Sequence, residues 1–401
     1  MSIKKNDFPF FIANPGIIYL DNASTVHKPQ KVLDAVNHFY IHEYANVGRG
    51  TYSFAEHSTE QYEAVRQKVA HFINAKDSLE IVFTSGTTES INTVAWSWAA
   101  NQLNAGDEIV ISALEHHANI LCWQALVAQK GLVLRVIPID DQGIIHTDSI
   151  DQSITQKTKL IATTYYSNAI GTRVPIEYIA QKARSVGACF LIDAAQAAGH
   201  VPLDVQTLHC DFLVFSGHKI GAPTGVGVLY IAKKRHTECI PFKRGGGMVF
   251  EADYTSASYK EIPALLEAGT PAIAQVIGLG AVIDYLQTQK SSINTSSLKE
   301  KCIKMALEGL LSNNDIRILG PIEKLFEGHI ISFLHKKLHA HDVAAYFESR
   351  NICLRAGHHC AQPLAKRLGY NASTRLSLFH YNDIADIEAF LDALKGLKKL
   401  L

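Results

Sequence analysis

The chain has 401 residues, 47% of them apolar and 19% charged, which is enough to bury a large core and too much for one small domain. Its 38 basic residues balance 38 acidic ones, so no broad electrostatic field points to nucleic acid or to an anionic membrane surface. We therefore expect a small-molecule partner.

The N-terminal segment predicts no signal peptide, because it lacks a long apolar region and a small-residue cleavage site. No later run approaches the roughly 20 apolar residues of a membrane span. The seven cysteines are odd in number and form no CxxC pair, so neither a disulfide framework nor structural zinc is expected. These features predict a soluble, cytoplasmic protein.

From about residue 60 to 230, helical patterns alternate with short apolar runs that end in Gly, Ser, Asn or Asp. This alternation is typical of βα units around a mostly parallel sheet. We therefore predict an α/β large domain with strands at residues 80–84, 108–112, 133–138, 160–165, 189–193, 212–216 and 227–231. In such sheets ligands bind beyond the carboxyl ends of the strands, so the residues there are the functional candidates.

Three of these strands end in polar groups of different kinds. The first leads into Thr87 and Thr88, next to a glycine and a helix start, which suits a phosphate as well as an ordinary helix cap. The second leads to His116, which can stack on a flat cofactor, and the fourth to Asn168, which can donate to a phenolic oxygen. Histidine and asparagine are also common loop residues, so each signal is weak alone.

The next two strands end in stronger candidates. Asp193 is followed by Gln196, and a carboxylate there can be a helix cap, a metal ligand or the partner of a protonated ring nitrogen. Ser216 leads to His218 and Lys219, a lysine flanked by glycines after a buried strand. Desolvation would lower the lysine pKa and favour Schiff-base chemistry, although an exposed loop lysine is the alternative. Together these residues describe a pocket for pyridoxal phosphate.

The remainder of the chain predicts a small α+β domain. Its elements are a helix at 273–287 and then strand 329–334, helix 342–350, strand 352–355, a loop around Cys360, strand 375–378 and helix 383–398. In that loop Cys360 lies beside two histidines, a poor zinc motif because no second spaced pair exists. A nucleophilic cysteine explains the loop better. The planar fork of Arg375 suits a carboxylate, or a surface salt bridge.

Six motifs in this order resemble group II cysteine desulfurases of the SufS/CsdA type, in the class V aminotransferase family, over nearly the whole chain. They are YLDNA at 19–23, TTESIN at 87–92, EHHAN at 115–119, SGHK at 216–219, EAGTP at 267–271 and RAGHHC at 355–360. The resemblance implies fold type I, a large domain over 21–281, a small domain formed by 1–20 and 282–401, and a homodimer.

The same resemblance implies a role for each candidate side chain. Lys219 would form the Schiff base with pyridoxal 5'-phosphate, Asp193 would pair with the ring nitrogen, and His116 would stack on the ring. Gln196 would approach the ring hydroxyl, and Asn168 and Arg375 the substrate carboxylate. The phosphate would be held by Thr87, Thr88, Ser216 and His218, with Thr270 reaching the phosphate of the other subunit.

Cysteine desulfuration is the activity that the resemblance implies. L-Cysteine would become L-alanine, and its sulfur a persulfide on Cys360 that passes to an acceptor protein for iron–sulfur cluster assembly or related sulfur metabolism. The closest alternative is a selenocysteine lyase acting on L-selenocysteine, which shares every motif and is not cleanly separated by the sequence. Two others fit less well: another class V reaction leaves Cys360 unexplained, and a non-catalytic scaffold does not explain the intact pocket.

The sequence departs from the family pattern at three places. Gly48 stands where these enzymes usually carry histidine, and Gly221 and Ala222 replace the usual Tyr-Gly before proline. Leu376 replaces a usual alanine next to Arg375, and we expect it to narrow the substrate pocket. None of these changes removes a residue that the core reaction requires.

Overall fold

A computed structural model describes residues 3–48, 50–288 and 296–397. Its strands are β1 (Ile18–Tyr19), β2 (Ile81–Thr84), β3 (Glu108–Ser112), β4 (Val133–Ile137), β5 (Thr158–Thr164), β6 (Cys189–Asp193), β7 (Phe212–Ser216), β8 (Gly227–Ile231), β9 (Val249–Ala252), β10 (Ala257–Tyr259), β11 (Ile316–Leu319), β12 (Ile330–His335), β13 (Ile352–Cys353), β14 (Arg355–Gly357) and β15 (Ser373–Ser377).

The α-helices separate these strands along the chain. They are α1 (Pro9–Ala13), α2 (Gln30–His38), α3 (Ser53–Phe72), α4 (Thr87–Thr93), α5 (Ala100–Gln102), α6 (Ala118–Lys130), α7 (Thr147–Ser153), α8 (Ile176–Val186), α9 (Val205–Leu208), α10 (Ile273–Thr288), α11 (Ser296–Leu311), α12 (Ala340–Glu348), α13 (Gln362–Arg367) and α14 (Ile384–Gly396). Within the described ranges, no helix has both the length and the apolar character that crossing a membrane requires.

A seven-stranded sheet forms the centre of the large domain, in the order β2-β8-β7-β6-β5-β3-β4. Only β8 runs antiparallel to its neighbours. The predicted α/β fold with a mostly parallel seven-stranded sheet is therefore confirmed, and all seven predicted strands lie within two residues of the observed ones.

The strands of this sheet are nearly continuous apolar runs because both faces are covered. Along β3, Val110 packs into the apolar cluster on one face, while Ile109 and Ile111 pack into the cluster on the other. Helix α8 buries Ile176, Ile179, Ala180 and Ala183, which share one face at helical spacing. Covering by helices on both sides is what parallel sheets require.

The predicted small α+β domain is also present, around an antiparallel sheet in the order β11-β12-β15-β14. Each predicted helix and strand has a counterpart of the same kind, and Lys398, at the end of the last predicted helix, lies outside the described residues. The strand predicted at 352–355 is two strands, because β13 pairs with β1 while β14 pairs with β15. The prediction lacks the edge strand β11 and the helices α11 and α13.

Candidate active site

Eleven of the twelve predicted site residues line one cavity of about 220 Å³, at the edge where β2, β3, β5, β6 and β7 end. The parallel direction of these strands brings their ends together, and the small domain closes the cavity from the other side. The eleven are Thr87, Thr88, His116, Asn168, Asp193, Gln196, Ser216, His218, Lys219, Cys360 and Arg375. Thr270 instead lines a separate cavity beside Glu89 and Lys243.

Lys219 and Asp193 form the buried, charged end of this cavity. Burial lowers the pKa of Lys219 to about 8, and the attraction of Asp193 only partly opposes that effect. Burial also raises the pKa of Asp193, whose Oδ1 accepts a hydrogen bond from the Ala195 amide at 2.9 Å. A buried amine with a lowered pKa is a nucleophile near neutral pH, and a buried carboxylate favours a cationic partner.

The start of α4 is hydrogen-bonded to Ser216 at the end of β7, and Gly86 just before it packs against Gly227 at the start of β8. The Ser216 hydroxyl accepts from the Thr87 amide at 2.8 Å and lies 2.8 Å from the Thr87 hydroxyl. A side chain at Gly227 would meet the Gly86 Cα at 2.4 Å, so only glycine allows this approach. Hydroxyls and helix N–H groups thus converge where an anionic group can bind.

His116 follows β3 at a turn that a buried carboxyl group organises. Glu115 accepts hydrogen bonds from the Ser112 hydroxyl, from Asn119 Nδ2 at 2.6 Å and from the Thr164 amide at 2.8 Å. Burial raises the pKa of Glu115 to about 8 against these hydrogen bonds. Burial, with the positive charge of Lys219 second, lowers the pKa of His116 to about 4, so its imidazole is neutral.

Arg375 is fully buried between the two domains. Its Nη1 donates to the Asn168 carbonyl at 2.7 Å, and its Nη2 donates to Asp21 Oδ1 and to the Ser24 hydroxyl, both at 2.9 Å. Its Nε is buried and has no hydrogen-bond partner within the described parts of the chain. Because Arg375 lines the cavity, its guanidinium charge favours an incoming carboxylate there.

The Cys360 loop is bound to the large domain by hydrogen bonds to its backbone. The Cys360 carbonyl accepts from the His117 amide at 2.8 Å, and the His359 carbonyl accepts from Asn168 Nδ2 at 2.5 Å. His359 and Cys360 both have positive φ, 53° and 55°, which non-glycine residues seldom adopt. Of the seven cysteines, all described, Cys360 alone is exposed.

The expectation that Leu376 narrows the substrate pocket is wrong. Leu376 neighbours Arg375 on β15, and side chains alternate between the faces of a strand. Arg375 points to the cavity, whereas Leu376 is fully buried in the small-domain core opposite Ile331. The other departures lie outside the cavity lining: Gly48 donates its N–H to the Thr59 hydroxyl, and Gly221 lies against Val282.

Seven cavity residues are not among those predicted from the sequence, and they include Ser24, Arg355 and His359. Arg355 donates to the Ser24 hydroxyl, which also binds Arg375. His359 is buried and lies 3.0 Å from the Ser373 hydroxyl. Ser24 follows the YLDNA motif directly and the other two lie within RAGHHC, so their position beside quoted motifs was the available signal.

Comparison with known proteins agrees with this geometry. The family model for aminotransferase class-V matches residues 18–390. The chain is 42% identical to a probable cysteine desulfurase of Synechocystis sp. over 396 residues, which are 98% of this chain and 94% of that protein.

Two solved structures are similar over nearly their whole length. The apo cysteine desulfurase of Thermococcus onnurineus has a TM-score of 0.94 and 37% identity, covering 99% of this chain and 98% of that one. The cysteine desulfurase CsdA (S-sulfonic acid) of Escherichia coli has a TM-score of 0.91 and 35% identity, with the same coverage. The predicted family and its fold type I architecture are therefore confirmed.

Proposed function

The chain belongs to the aminotransferase class-V family, and we propose that it is a cysteine desulfurase, which converts L-cysteine to L-alanine and keeps the sulfur as a persulfide on Cys360. Pyridoxal 5'-phosphate is its cofactor. One observation carries the assignment: the single exposed cysteine of the chain lines the same cavity as the buried Lys219 amine.

The donor set of the cavity fits this cofactor. It combines hydroxyls at a helix start, a buried carboxylate and a buried amine, which match a phosphate, a protonated ring nitrogen and an aldehyde. When bound, the cofactor supplies a sink for the electrons released at the substrate Cα. The residues that would hold it are Thr87, Thr88, Ser216 and His218 at the phosphate, Asp193 at the ring nitrogen, His116 on the ring face, Gln196 at the ring hydroxyl and Lys219 at the aldehyde.

Lys219 would hold the cofactor aldehyde, and its neutral amine would be the base for the proton on the substrate Cα. A base is most effective when its pKa lies near the working pH. Burial brings the Lys219 pKa to about 8, so a substantial fraction of the amine is neutral near pH 7.5. An exposed lysine would be almost fully protonated at that pH.

His116 supplies a hydrogen-bond donor for the substrate sulfur. Its Nδ1 accepts a hydrogen bond from the Ala118 amide at 3.1 Å, which leaves Nε2 as the nitrogen that carries the hydrogen. Because burial keeps the ring neutral, the Nε2 hydrogen would stabilise a thiolate form of the substrate sulfur, whereas the ring itself takes up no proton.

Arg375 and Asn168 orient the substrate through its carboxylate. The guanidinium of Arg375 supplies the positive charge for that carboxylate, and its Nη1 and Nη2 are held in place by protein groups. Asn168 joins this site to the Cys360 loop, because its carbonyl accepts from Arg375 while its amide donates to the His359 carbonyl. Carboxylate binding and the position of the nucleophile are therefore connected.

Cys360 takes the sulfur as a thiolate. Its Sγ forms a bond to the substrate sulfur as the bond between that sulfur and the substrate Cβ breaks, and the carbon skeleton leaves as alanine after protonation. Hydrogen bonds to His117 and Asn168 hold the backbone of the loop, so the persulfide stays at the cavity mouth. A separate acceptor protein would therefore approach this site, for iron–sulfur cluster assembly or related sulfur metabolism.

Thr270 serves the second active site of a homodimer. It lies outside the cavity of its own chain, in a segment where Glu267 is bound by Arg66 at 2.6 Å. A threonine that is held firmly away from the local cavity is available to a neighbouring subunit, which supports the role implied by the EAGTP motif.

The deciding experiment compares Cys360→Ala with the matched control Cys353→Ala, a half-buried cysteine of the same domain. Alanine and sulfide are measured after addition of L-cysteine with and without reductant. Peptide masses are determined by mass spectrometry after brief exposure of the protein to L-cysteine. We expect wild type and the control to carry an adduct of about 32 Da on the Cys360 peptide, the mass of one added sulfur.

Cys360→Ala should keep the cofactor and lose sulfur release from cysteine. Full desulfurase activity in that variant, or an adduct on another cysteine, would overturn the proposal. Selenocysteine is assayed in parallel, because selenium is the better leaving group and its release can survive the loss of Cys360. A wild type active only on selenocysteine would favour the lyase instead.

A further inference from the structure

A buried cluster of three histidines, His200, His329 and His380, lies directly behind the cavity and has no part in the mechanism above. The rings of His200 and His329 stack with centroids 3.6 Å apart and an interplanar angle of 11°. The ring centroid of His380 lies 5.7 Å from that of His200, and His380 Nε2 donates a hydrogen bond to the Gly199 carbonyl at 2.5 Å. Buried polar side chains are costly unless they are used, so this cluster requires an explanation.

Only one member of the cluster touches a residue of the cavity lining. His329 Nε2 lies 3.2 Å from Gln196 Oε1, and both side chains are buried. Gln196 Nε2 donates to the Ala23 carbonyl at 2.9 Å, which identifies the other amide atom as the oxygen. The hydrogen between His329 and Gln196 must therefore sit on His329 Nε2.

This contact crosses from the small domain to the large one. His329 directly precedes β12, and its carbonyl accepts from the Leu378 amide at 2.8 Å. The next residue, Ile330, lies so close to Gly171 that a side chain at Gly171 would meet the Ile330 carbonyl oxygen at 2.5 Å. The backbone of His329 is thus fixed against the loop that carries Asn168.

The His329 ring has little freedom once its backbone is fixed. The stacked His200 ring covers one face, and Tyr166 approaches edge-on with centroids 6.0 Å apart. Burial, followed by the positive charges of Lys299 and Arg375, lowers the pKa of His329, so the ring remains neutral and keeps one N–H. A neutral ring in a fixed position is a directional donor.

We propose that His329 is a positioning residue, which fixes the amide of Gln196 so that its second N–H points to the ring oxygen of the bound cofactor. Gln196 Nε2 has two hydrogens, of which the Ala23 carbonyl takes one. With Oε1 held by His329, the amide cannot turn over, and the remaining hydrogen faces the cavity that Gln196 lines. The inference rests on the proposed function, because it requires the cofactor.

The physical consequence concerns the charge on the cofactor oxygen. A donated hydrogen bond stabilises the ionised oxygen, which belongs to the long-wavelength form of the bound cofactor, over the neutral hydroxyl of the short-wavelength form. Without His329, the buried Gln196 oxygen loses its partner, and only the Ala23 carbonyl still holds the amide in this orientation. The ratio of the two absorption bands therefore reports the orientation of Gln196.

The test uses His329→Phe in the holoprotein, with His380→Phe as the matched control. Both changes replace a buried imidazole of the same cluster by an aromatic ring, but only the first removes the contact with Gln196. We expect the ratio of long- to short-wavelength absorbance to fall about threefold to tenfold in His329→Phe, the effect of one net hydrogen bond. His380→Phe should keep the wild-type ratio.

A double-mutant cycle with Gln196→Met separates positioning from general damage, because His329→Phe should then change the ratio no further. The inference would be overturned if His329→Phe and His380→Phe changed the absorbance ratio equally. It would also be overturned if His329→Phe lowered the ratio as much in the Gln196→Met background as in wild type. If His329→Phe does not fold, His329→Leu takes its place in the cycle. A wild type that binds no cofactor would overturn the proposed function and this inference together, whereas a normal wild type with a silent His329 variant would overturn the inference alone.

Discussion

Replacement of Arg375 by lysine tests the substrate end of the cavity, because it keeps the positive charge and removes the planar fork. In the structure, the guanidinium binds the Asn168 carbonyl, Asp21 and the Ser24 hydroxyl, and its Nε is still unpaired. One ammonium group has three hydrogens on a single atom and cannot satisfy these partners and also reach the substrate carboxylate. The substrate should therefore lose its contact.

The size of the loss follows from burial. Arg375 is only 1% exposed, so water cannot replace the missing donor. Truncating a buried, hydrogen-bonded charge pair costs about 2 to 5 kcal/mol, and about 1.4 kcal/mol corresponds to a factor of ten. We therefore expect kcat/KM for L-cysteine to fall by about 30-fold to about 4,000-fold, mostly through KM, while the visible spectrum of the bound cofactor changes little.

The assay is alanine formation against cysteine concentration, with the cofactor spectrum recorded on the same samples. Arg317→Lys is the matched control, since Arg317 lies on β11 of the same sheet and outside the cavity lining. Unchanged saturation kinetics in Arg375→Lys would refute the reasoning. So would an equal loss in Arg317→Lys, because general weakening of the small-domain sheet would then explain both.

Three further predictions follow from the same geometry. Lys219→Ala should lose the long-wavelength cofactor band, and a bond to the cofactor that borohydride still reduces in this variant would exclude Lys219 as the anchor. Because only the neutral amine attacks the cofactor, reconstitution of apoprotein should speed up about tenfold per pH unit below pH 8 and level off above it, given the Lys219 pKa of about 8. A rate that rises steadily to pH 10 would contradict that lowered pKa. Thr270→Ala should weaken cofactor binding in a dimer that still assembles by light scattering, and a fully active monomer would contradict the shared site.

The large domain could be predicted from the sequence because its central strands are buried on both faces. Strands such as β6 and β7 are then nearly continuous apolar runs, and each run ends abruptly in polar residues. The site could be predicted because the strands that carry it run parallel, which brings residues as distant in sequence as Thr87 and Lys219 to one edge of the sheet. The RAGHHC motif indicated Cys360, and the family resemblance indicated Arg375, two small-domain residues that no periodicity joins to that edge.

The sequence predictions fail where the direction of a side chain on its strand, or a contact between residues far apart in the sequence, determines the structure. Leu376 was placed in the pocket because it follows Arg375, although the alternation of a strand sends it to the opposite face. The edge strand β11 is short and was overlooked. The contact between His329 and Gln196 spans 133 positions, so neither residue predicts the other without the packing of the two domains.

That packing also explains how a persulfide on a short loop remains productive. The two hydrogen bonds that hold the Cys360 loop come from His117 and Asn168, which follow strands of the large domain, while Arg375 reaches Asn168 from the small one. Movement of the loop toward a distant acceptor would break both bonds and disturb Asn168, whose backbone carbonyl accepts a hydrogen bond from Arg375. The loop therefore favours a fixed sulfur at an exposed position over a mobile carrier, and we expect delivery to need an acceptor that comes to Cys360.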